Sequence, residues 1–125
     1  MVSLGGTGTI SLATNGSSVQ FYSGASGYQL SSSSGSDLSV NMNVTLTQSG
    51  APVSVSATGA TTRLTISGTT TTAGGAVTIS TKGLLQTTTN NSSILTNNGA
   101  ITLTGLGGIN NQSNSSTSVY NAGSG

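Results

Sequence analysis

Cysteine, histidine, tryptophan and glutamate are absent from this 125-residue chain, and Asp37, Arg63 and Lys82 are its only charged side chains. Each absence closes a class of chemistry. Without cysteine there are no disulfides and no thiolate ligands. General acid–base catalysis draws on histidine, glutamate or paired carboxylates, and Asp37 stands alone. There are 24 serines, but a serine nucleophile needs a base beside it, and Lys82 is the sole lysine. Zinc ligation by Cys and His is excluded. An acidic calcium cage is excluded too, leaving at most a weak ion held by Asp37 with backbone carbonyls. The chain is therefore expected to be no enzyme and to need no cofactor.

Other absences bound the partners. The formal net charge is +1, so no electrostatic case exists for nucleic acid or acidic lipid. No apolar run approaches the roughly 18 residues of a membrane-spanning helix, and no membrane insertion is expected. Met1 leads into Val2-Ser3-Leu4-Gly5-Gly6, with no basic flank or apolar core of a secretory signal. Gly5-Gly6-Thr7-Gly8 and Gly105-Leu106-Gly107-Gly108 lack the Lys-Ser/Thr of a phosphate loop and read as turns.

What remains is a polar, turn-rich, alternating sequence. Serine and threonine total 46, with 19 glycines and 11 asparagines. Such a bias fits either disorder or a regular β-architecture, and apolar-polar alternation favours the second. Leu38-Ser39-Val40-Asn41-Met42-Asn43-Val44-Thr45-Leu46, Val53-Ser54-Val55, Leu64-Thr65-Ile66, Val77-Thr78-Ile79 and Ile101-Thr102-Leu103 each put apolar side chains on one face. No window carries a helical stripe, and no α-helix is expected.

The alternation repeats with a period of 24. Gly75-Ala76-Val77-Thr78-Ile79-Ser80 returns at that spacing as Gly99-Ala100-Ile101-Thr102-Leu103-Thr104, and Ala51-Pro52-Val53-Ser54-Val55-Ser56 precedes both at the same spacing. Laid out in rows of 24, the chain forms columns. Val53, Val77 and Ile101 share one, and Val55, Ile79 and Leu103 share another. Gly35, Gly59, Gly83 and Gly107 form a third, and Thr45, Thr69, Ser93 and Thr117 a fourth. The same rows set Val40 over Leu64, Met42 over Ile66, and Ile94-Leu95 against Ser118-Val119. The first segment departs from the rule: Gly8 and Gly16 precede Gly27 and Gly35 at a spacing of 19. The expected organisation is a single all-β domain over 1–125. It has an atypical first coil at 1–26 and repeat coils at 27–50, 51–74, 75–98 and 99–122. Gly123-Ser124-Gly125 reads as the start of a further, unfinished row.

Fixed spacing of one supersecondary unit predicts a parallel β-solenoid (β-helix). Successive coils would pair about 4.8 Å apart, with Val, Ile, Leu and Met inside and hydroxyls outside. The alternative is an antiparallel β-sandwich. The unit Gly-Ala-Val/Ile-Thr-Ile/Leu-Ser/Thr followed by Gly resembles the coils of filamentous-haemagglutinin-type adhesins and autotransporter passenger domains, over residues 51–109. That resemblance implies a right-handed parallel β-helix, secretion, adhesion and fibre-building, with no active-site residue carried over.

The leading functional expectation is a structural, non-enzymatic subunit or segment of an extracellular or cell-surface fibre or adhesin. Its first partner is itself, head to tail, because a solenoid has two open edges and no charged cap is visible here. Phe21, Tyr22, Tyr28 and Tyr120 are all the aromatics. They read either as plugs of the apolar axis or as anchors of an assembly interface. Asn15, Asn43, Asn90, Asn91, Asn111 and Asn114 begin glycosylation sequons, which matter only in a glycosylating cell. Arg63 and Lys82 read as lone solubilising charges. The alternatives are a viral or phage fibre segment, or a module whose hydroxyl ladders dock surface glycans. The runs Thr69-Thr70-Thr71-Thr72 and Thr87-Thr88-Thr89 invite a related ice-binding reading, which needs a regular outward threonine array.

Overall fold

The computed structural model describes residues 10–13, 17–20, 27–33, 35, 37–59, 63–87, 92–111, 119–121 and 123. These residues carry fourteen strands: β1 (Ile10–Ala13), β2 (Ser17–Gln20), β3 (Tyr28–Ser32), β4 (Leu38–Asn41), β5 (Val44–Ser49), β6 (Val53–Ala57), β7 (Leu64–Ser67), β8 (Thr69–Ala73), β9 (Val77–Thr81), β10 (Leu85–Thr87), β11 (Ser93–Leu95), β12 (Ile101–Gly105), β13 (Ile109–Asn111) and β14 (Val119–Asn121). For β1, β2 and β14 the description is of the backbone.

Every strand pairing is parallel. Three sheets result, in the orders β1-β3-β6-β9-β12, β2-β4-β7-β10-β13 and β5-β8-β11-β14. From β3 onward the chain visits the first, second and third sheets in turn and then starts the next level. That is a β-solenoid with coils of about 24 residues, as expected from the sequence, and the step from β6 to β9 to β12 is 24 throughout. It is not an antiparallel sandwich. No helix occurs among the described residues.

Alternation explains the core. In β3, β6 and β9 the inward positions Tyr28, Leu30, Val53, Val55, Val77 and Ile79 are buried. In the second sheet Leu38, Val40, Leu64, Ile66 and Leu85 do the same, and in the third Val44, Leu46 and Ile94. Met42 is buried at the corner between sheets two and three. The predicted columns Val53-Val77-Ile101 and Val55-Ile79-Leu103 are present in register. A backbone bond of 2.9 Å from Gly107 N to Gly83 O likewise joins those two column glycines.

Elsewhere the rows slip against one another. The first step is 18 and not 19, with Ile10 opposite Tyr28. A step of 19 would have set Ile10 against Gln29 and reversed the faces. Tyr28 pairs with Val53, a step of 25, so Gly27 lies against Pro52 and not Ala51. Leu38 pairs with Leu64 and Val40 with Ile66, a step of 26. Hence the expected pairs Val40–Leu64 and Met42–Ile66 are each off by two positions. Thr45 pairs with Thr71, and Ser93 with Val119. Of the expected hydroxyl column only Thr69–Ser93 survives. Ile94 faces Tyr120 and not Ser118. Between β5 and β8 the step falls from 26 at Leu46 to 24 at Ser49, an irregularity inside the strand itself.

The corner from sheet three to sheet one shows why certain residue types recur. Gly50 (φ 75°), Gly74 (φ 82°) and Asn98 (φ 81°) occupy it in successive coils, all in the left-handed region. Asparagine stands in for glycine there because its short polar side chain tolerates that conformation. The next residue is squeezed between coils. A Cβ on Gly75 would lie 1.8 Å from Ala51 O, and one on Gly99 would lie 2.3 Å from Gly75 O. Glycine at these two positions lets the coils approach to sheet-pairing distance.

Candidate assembly interface

The inward face of the third sheet departs from the expected apolar axis. Thr70, Thr72 and Thr96 are buried beside Val44, Leu46 and Ile94. Their hydroxyls donate to backbone carbonyls: Thr70 to Met42 O at 3.0 Å, Thr72 to Gly75 O at 2.6 Å, and Thr96 to Gly99 O. These bonds offset the cost of burying a hydroxyl, whereas the buried Ser32 Oγ has no hydrogen-bond partner. The run Thr69–Thr72 is therefore not an outward threonine array, since two of its four side chains are core. In the second run Thr87 is also buried, donating to Asn111 Oδ1 at 2.7 Å, while Thr88 and Thr89 lie outside the described residues. The ice-binding reading loses its array.

The outer surface of sheet one carries two uncharged columns. Gln29, Ser54, Thr78 and Thr102 form one, and Ser31, Ser56, Ser80 and Thr104 the other. Ser80 Oγ donates to Ser56 Oγ at 3.3 Å. Such ladders link coils and give the face a flat, neutral character.

Charge contributes almost nothing to this surface. Asp37 accepts a bond from Arg63 N at 3.0 Å, and its carboxylate lies 3.7 Å from Arg63 Nε. Both side chains are more than half exposed, at 60% and 53%, so the pair is worth less than about 1 kcal/mol. Arg63 is thus not a lone charge, and Asp37 is occupied by it. Lys82 is exposed. No cluster of metal-ligating side chains occurs among the described residues, and no helix among them is long and apolar enough to cross a membrane.

The unusual feature is the last coil. In sheets one and two, β12 and β13 are edge strands, each paired on one side only. Their inward residues continue the core columns, and among the described residues no further strand pairs beyond them. Ile101 and Leu103 are only half-buried, where Val77 and Ile79 one coil below are sealed. Ile109 continues the Leu64–Leu85 column and is 56% exposed, while Leu106, in the preceding turn, is 74% exposed. These are the exposed large hydrophobic residues of the described chain, and both belong to the terminal coil. The backbone is poised likewise. At the starts of β3, β6 and β9 an N–H donates to the coil above: Tyr28 N to Pro52 O, Val53 N to Ala76 O and Val77 N to Ala100 O, all at 2.9 Å. Ile101 N is the next in that column.

Of the aromatics, Tyr28 is 3% exposed within the second level of sheet one. It is a core residue, with no ring surface to offer a neighbouring chain. Phe21 and Tyr22 lie outside the described residues, as does the Tyr120 side chain. Among the sequons, Asn43 is exposed, but its Oδ1 accepts Thr69 N at 2.9 Å in the corner at Gly68. Asn111 Oδ1 is held by Thr87. Asn15, Asn90, Asn91 and Asn114 lie outside the described residues. The end face itself was readable but missed: Ile109 follows Leu85 by the same step of 24 that separates β9 from β12.

Comparison with known proteins gives no match: no family model, no curated protein and no solved structure matches the chain.

Proposed function

We propose that this chain is a structural, non-enzymatic segment of an extracellular or cell-surface fibre, of the filamentous-haemagglutinin-like adhesin kind, and that it associates with itself end to end. One observation carries the reading. The last described coil leaves Ile109 and Leu106 exposed and Ile101 and Leu103 half-buried, on β12 and β13, which have one pairing neighbour each among the described residues. A further coil would cover the inward groups and pair the backbone, as every coil below does. Edges of this sort bind by strand addition. No charge opposes approach, since Asp37, Arg63 and Lys82 all lie outside the last coil. Extension of a solenoid along its axis is heterologous, and unless it closes it grows as a fibre. The neutral hydroxyl ladders of sheet one suit an outer fibre wall.

Negative-stain microscopy of the purified chain at low and high salt tests this. Filaments one solenoid wide at both salt concentrations are expected, because apolar burial and backbone pairing are not screened. Monodisperse particles of monomer size at high protein concentration would refute it.

A further inference from the structure

We propose that Asn98 is a modification site: an asparagine that deamidates by itself in the folded chain, leaving aspartate or isoaspartate at position 98. The reaction needs no second protein, and it proceeds whether or not the chain builds a fibre.

The corner that carries Gly50 and Gly74 in two coils carries Asn98 in the next, followed directly by Gly99. Asn97 (φ 48°) and Asn98 (φ 81°) are the only non-glycine residues with positive φ among those described, and they are consecutive. Backbone of this kind is sparsely populated by residues with side chains, and its surroundings must hold it in place. Both asparagines are exposed. The nearest atoms to a Cβ on Gly123 would be Asn98 Oδ1 and N, at 2.7 and 2.9 Å, so the residue against this amide has no side chain to bury it.

The nucleophile is Gly99 N. It is tethered to the Asn98 carboxamide so that attack on Cγ closes a five-membered ring, and tethering replaces an encounter between separate molecules. A side chain on the attacking residue would crowd that nitrogen, and glycine has none. Asn98 is the only described asparagine followed by glycine; Asn41, Asn43, Asn97, Asn110, Asn111 and Asn121 precede Met, Val, Asn, Asn, Gln and Ala. One backbone bond restrains the nitrogen, from Gly99 N to Thr96 O at 3.2 Å, at the long limit for such bonds.

In the first step Gly99 N loses its proton and bonds to Asn98 Cγ. The Cγ–Nδ2 bond breaks, and ammonia leaves with that proton. Water then opens the resulting succinimide. Cleavage at the new Cγ–N bond gives aspartate. Cleavage between the Asn98 carbonyl carbon and Gly99 N gives isoaspartate, whose main chain runs through Cγ and is one carbon longer. Either product adds one carboxylate, taking the formal net charge from +1 to 0. The longer chain does not fit the corner. Gly99 is pressed against the coil below, where an added Cβ would meet Gly75 O at 2.3 Å. Its carbonyl accepts the buried Thr96 hydroxyl, and the next carbonyl, Ala100 O, accepts Val77 N at 2.9 Å. An extra backbone atom displaces these bonds.

Tryptic sites follow only Arg63 and Lys82. Aged protein, unfolded and digested, therefore yields a fragment 83–125 that contains Asn98 but not Asn15-Gly16, the other Asn-Gly of the sequence. After incubation in native buffer at mildly alkaline pH, that fragment is expected to gain one mass unit. Fragmentation should localise the gain to position 98, with a rate about tenfold or more above those at Asn97 and Asn110. Asn98→Gly, the residue two other coils carry at this corner, is expected to fold and to abolish the gain. The aged chain is expected to melt below Asn98→Asp, which bears the same charge without the extra backbone atom. Conversion in urea with none in the native chain, or a gain that survives Asn98→Gly, overturns the proposal. An aged chain that melts with Asn98→Asp overturns the isoaspartate branch.

Discussion

Replacing Gly75 by alanine would drive a methyl group to within 1.8 Å of Ala51 O, 2.4 Å of Ala51 C and 3.0 Å of Ala51 N. The atoms in the way are backbone, so no side chain can rotate to make room. Relief requires the coil that begins at Gly75 to lift from the one below at this corner. Three bonds sit on that seam: Gly50 N to Ala73 O at 2.9 Å, Val53 N to Ala76 O at 2.9 Å, and the buried Thr72 hydroxyl to Gly75 O at 2.6 Å. Overpacking alone costs about 1–3 kcal/mol, and stranding one buried hydroxyl or carbonyl adds about 1–3 kcal/mol. The expected loss is thus about 3–5 kcal/mol, a large part of the roughly 5–15 kcal/mol that holds an ordinary domain together. For a chain of this size that lowers Tm by about 10–20 °C. Gly35→Ala is the control, because nothing lies within 4 Å of its added Cβ, and it should leave Tm within about 2 °C. Thermal unfolding followed by far-ultraviolet circular dichroism reads both variants. Equal melting temperatures for Gly75→Ala and Gly35→Ala would refute the close approach of the coils at this corner.

Ile79→Asp places a carboxylate in a column position that is 1% exposed with no cationic partner, and it should abolish the cooperative transition, whereas Ile79→Val should cost only about 1 kcal/mol by urea titration. Thr72→Val keeps the shape of a fully buried side chain but strands the carbonyl of Gly75. The expected loss is about 1–3 kcal/mol by the same titration, with the strand content unchanged. Asp37→Asn removes an exposed ion pair while leaving an oxygen to accept Arg63 N. It should shift the urea midpoint by less than the equivalent of about 1 kcal/mol, and about 1 M salt should erase the difference.

The columns of sheet one were legible because β6, β9 and β12 repeat at an unbroken step of 24, with apolar and hydroxyl positions alternating. Sheet two was not, and the reason lies in its corners. Leu38 to Leu64 is a step of 26 and Leu64 to Leu85 a step of 21. A long corner in one coil is followed by a short one in the next. Ser, Thr and Gly fill corners and outward strand positions alike, so composition does not mark where the extra residues enter. The buried threonines escaped for a related reason. Thr69 and Thr70 are indistinguishable by type, and only the parity of β8 decides that Thr70 turns inward to meet Met42 O. Tyr28 was ambiguous between core plug and junction anchor until its place between β1 and β6 showed that it is covered on both sides. The exposed Ile109 was legible in principle, since it lies one period beyond Leu85. Its exposure is a property of the fold, in which β13 pairs with β10 alone among the described residues.

Sedimentation velocity over a wide concentration range, comparing the native chain with Ile109→Lys and Thr78→Lys, tests the central claim most directly. Ile109 is at the uncovered end, whereas Thr78 faces outward from the middle of sheet one. The account predicts concentration-dependent growth for the native chain and for Thr78→Lys, at low and at high salt, and a folded monomer for Ile109→Lys. Equal self-association by all three, or a native chain that stays monomeric throughout, would contradict it.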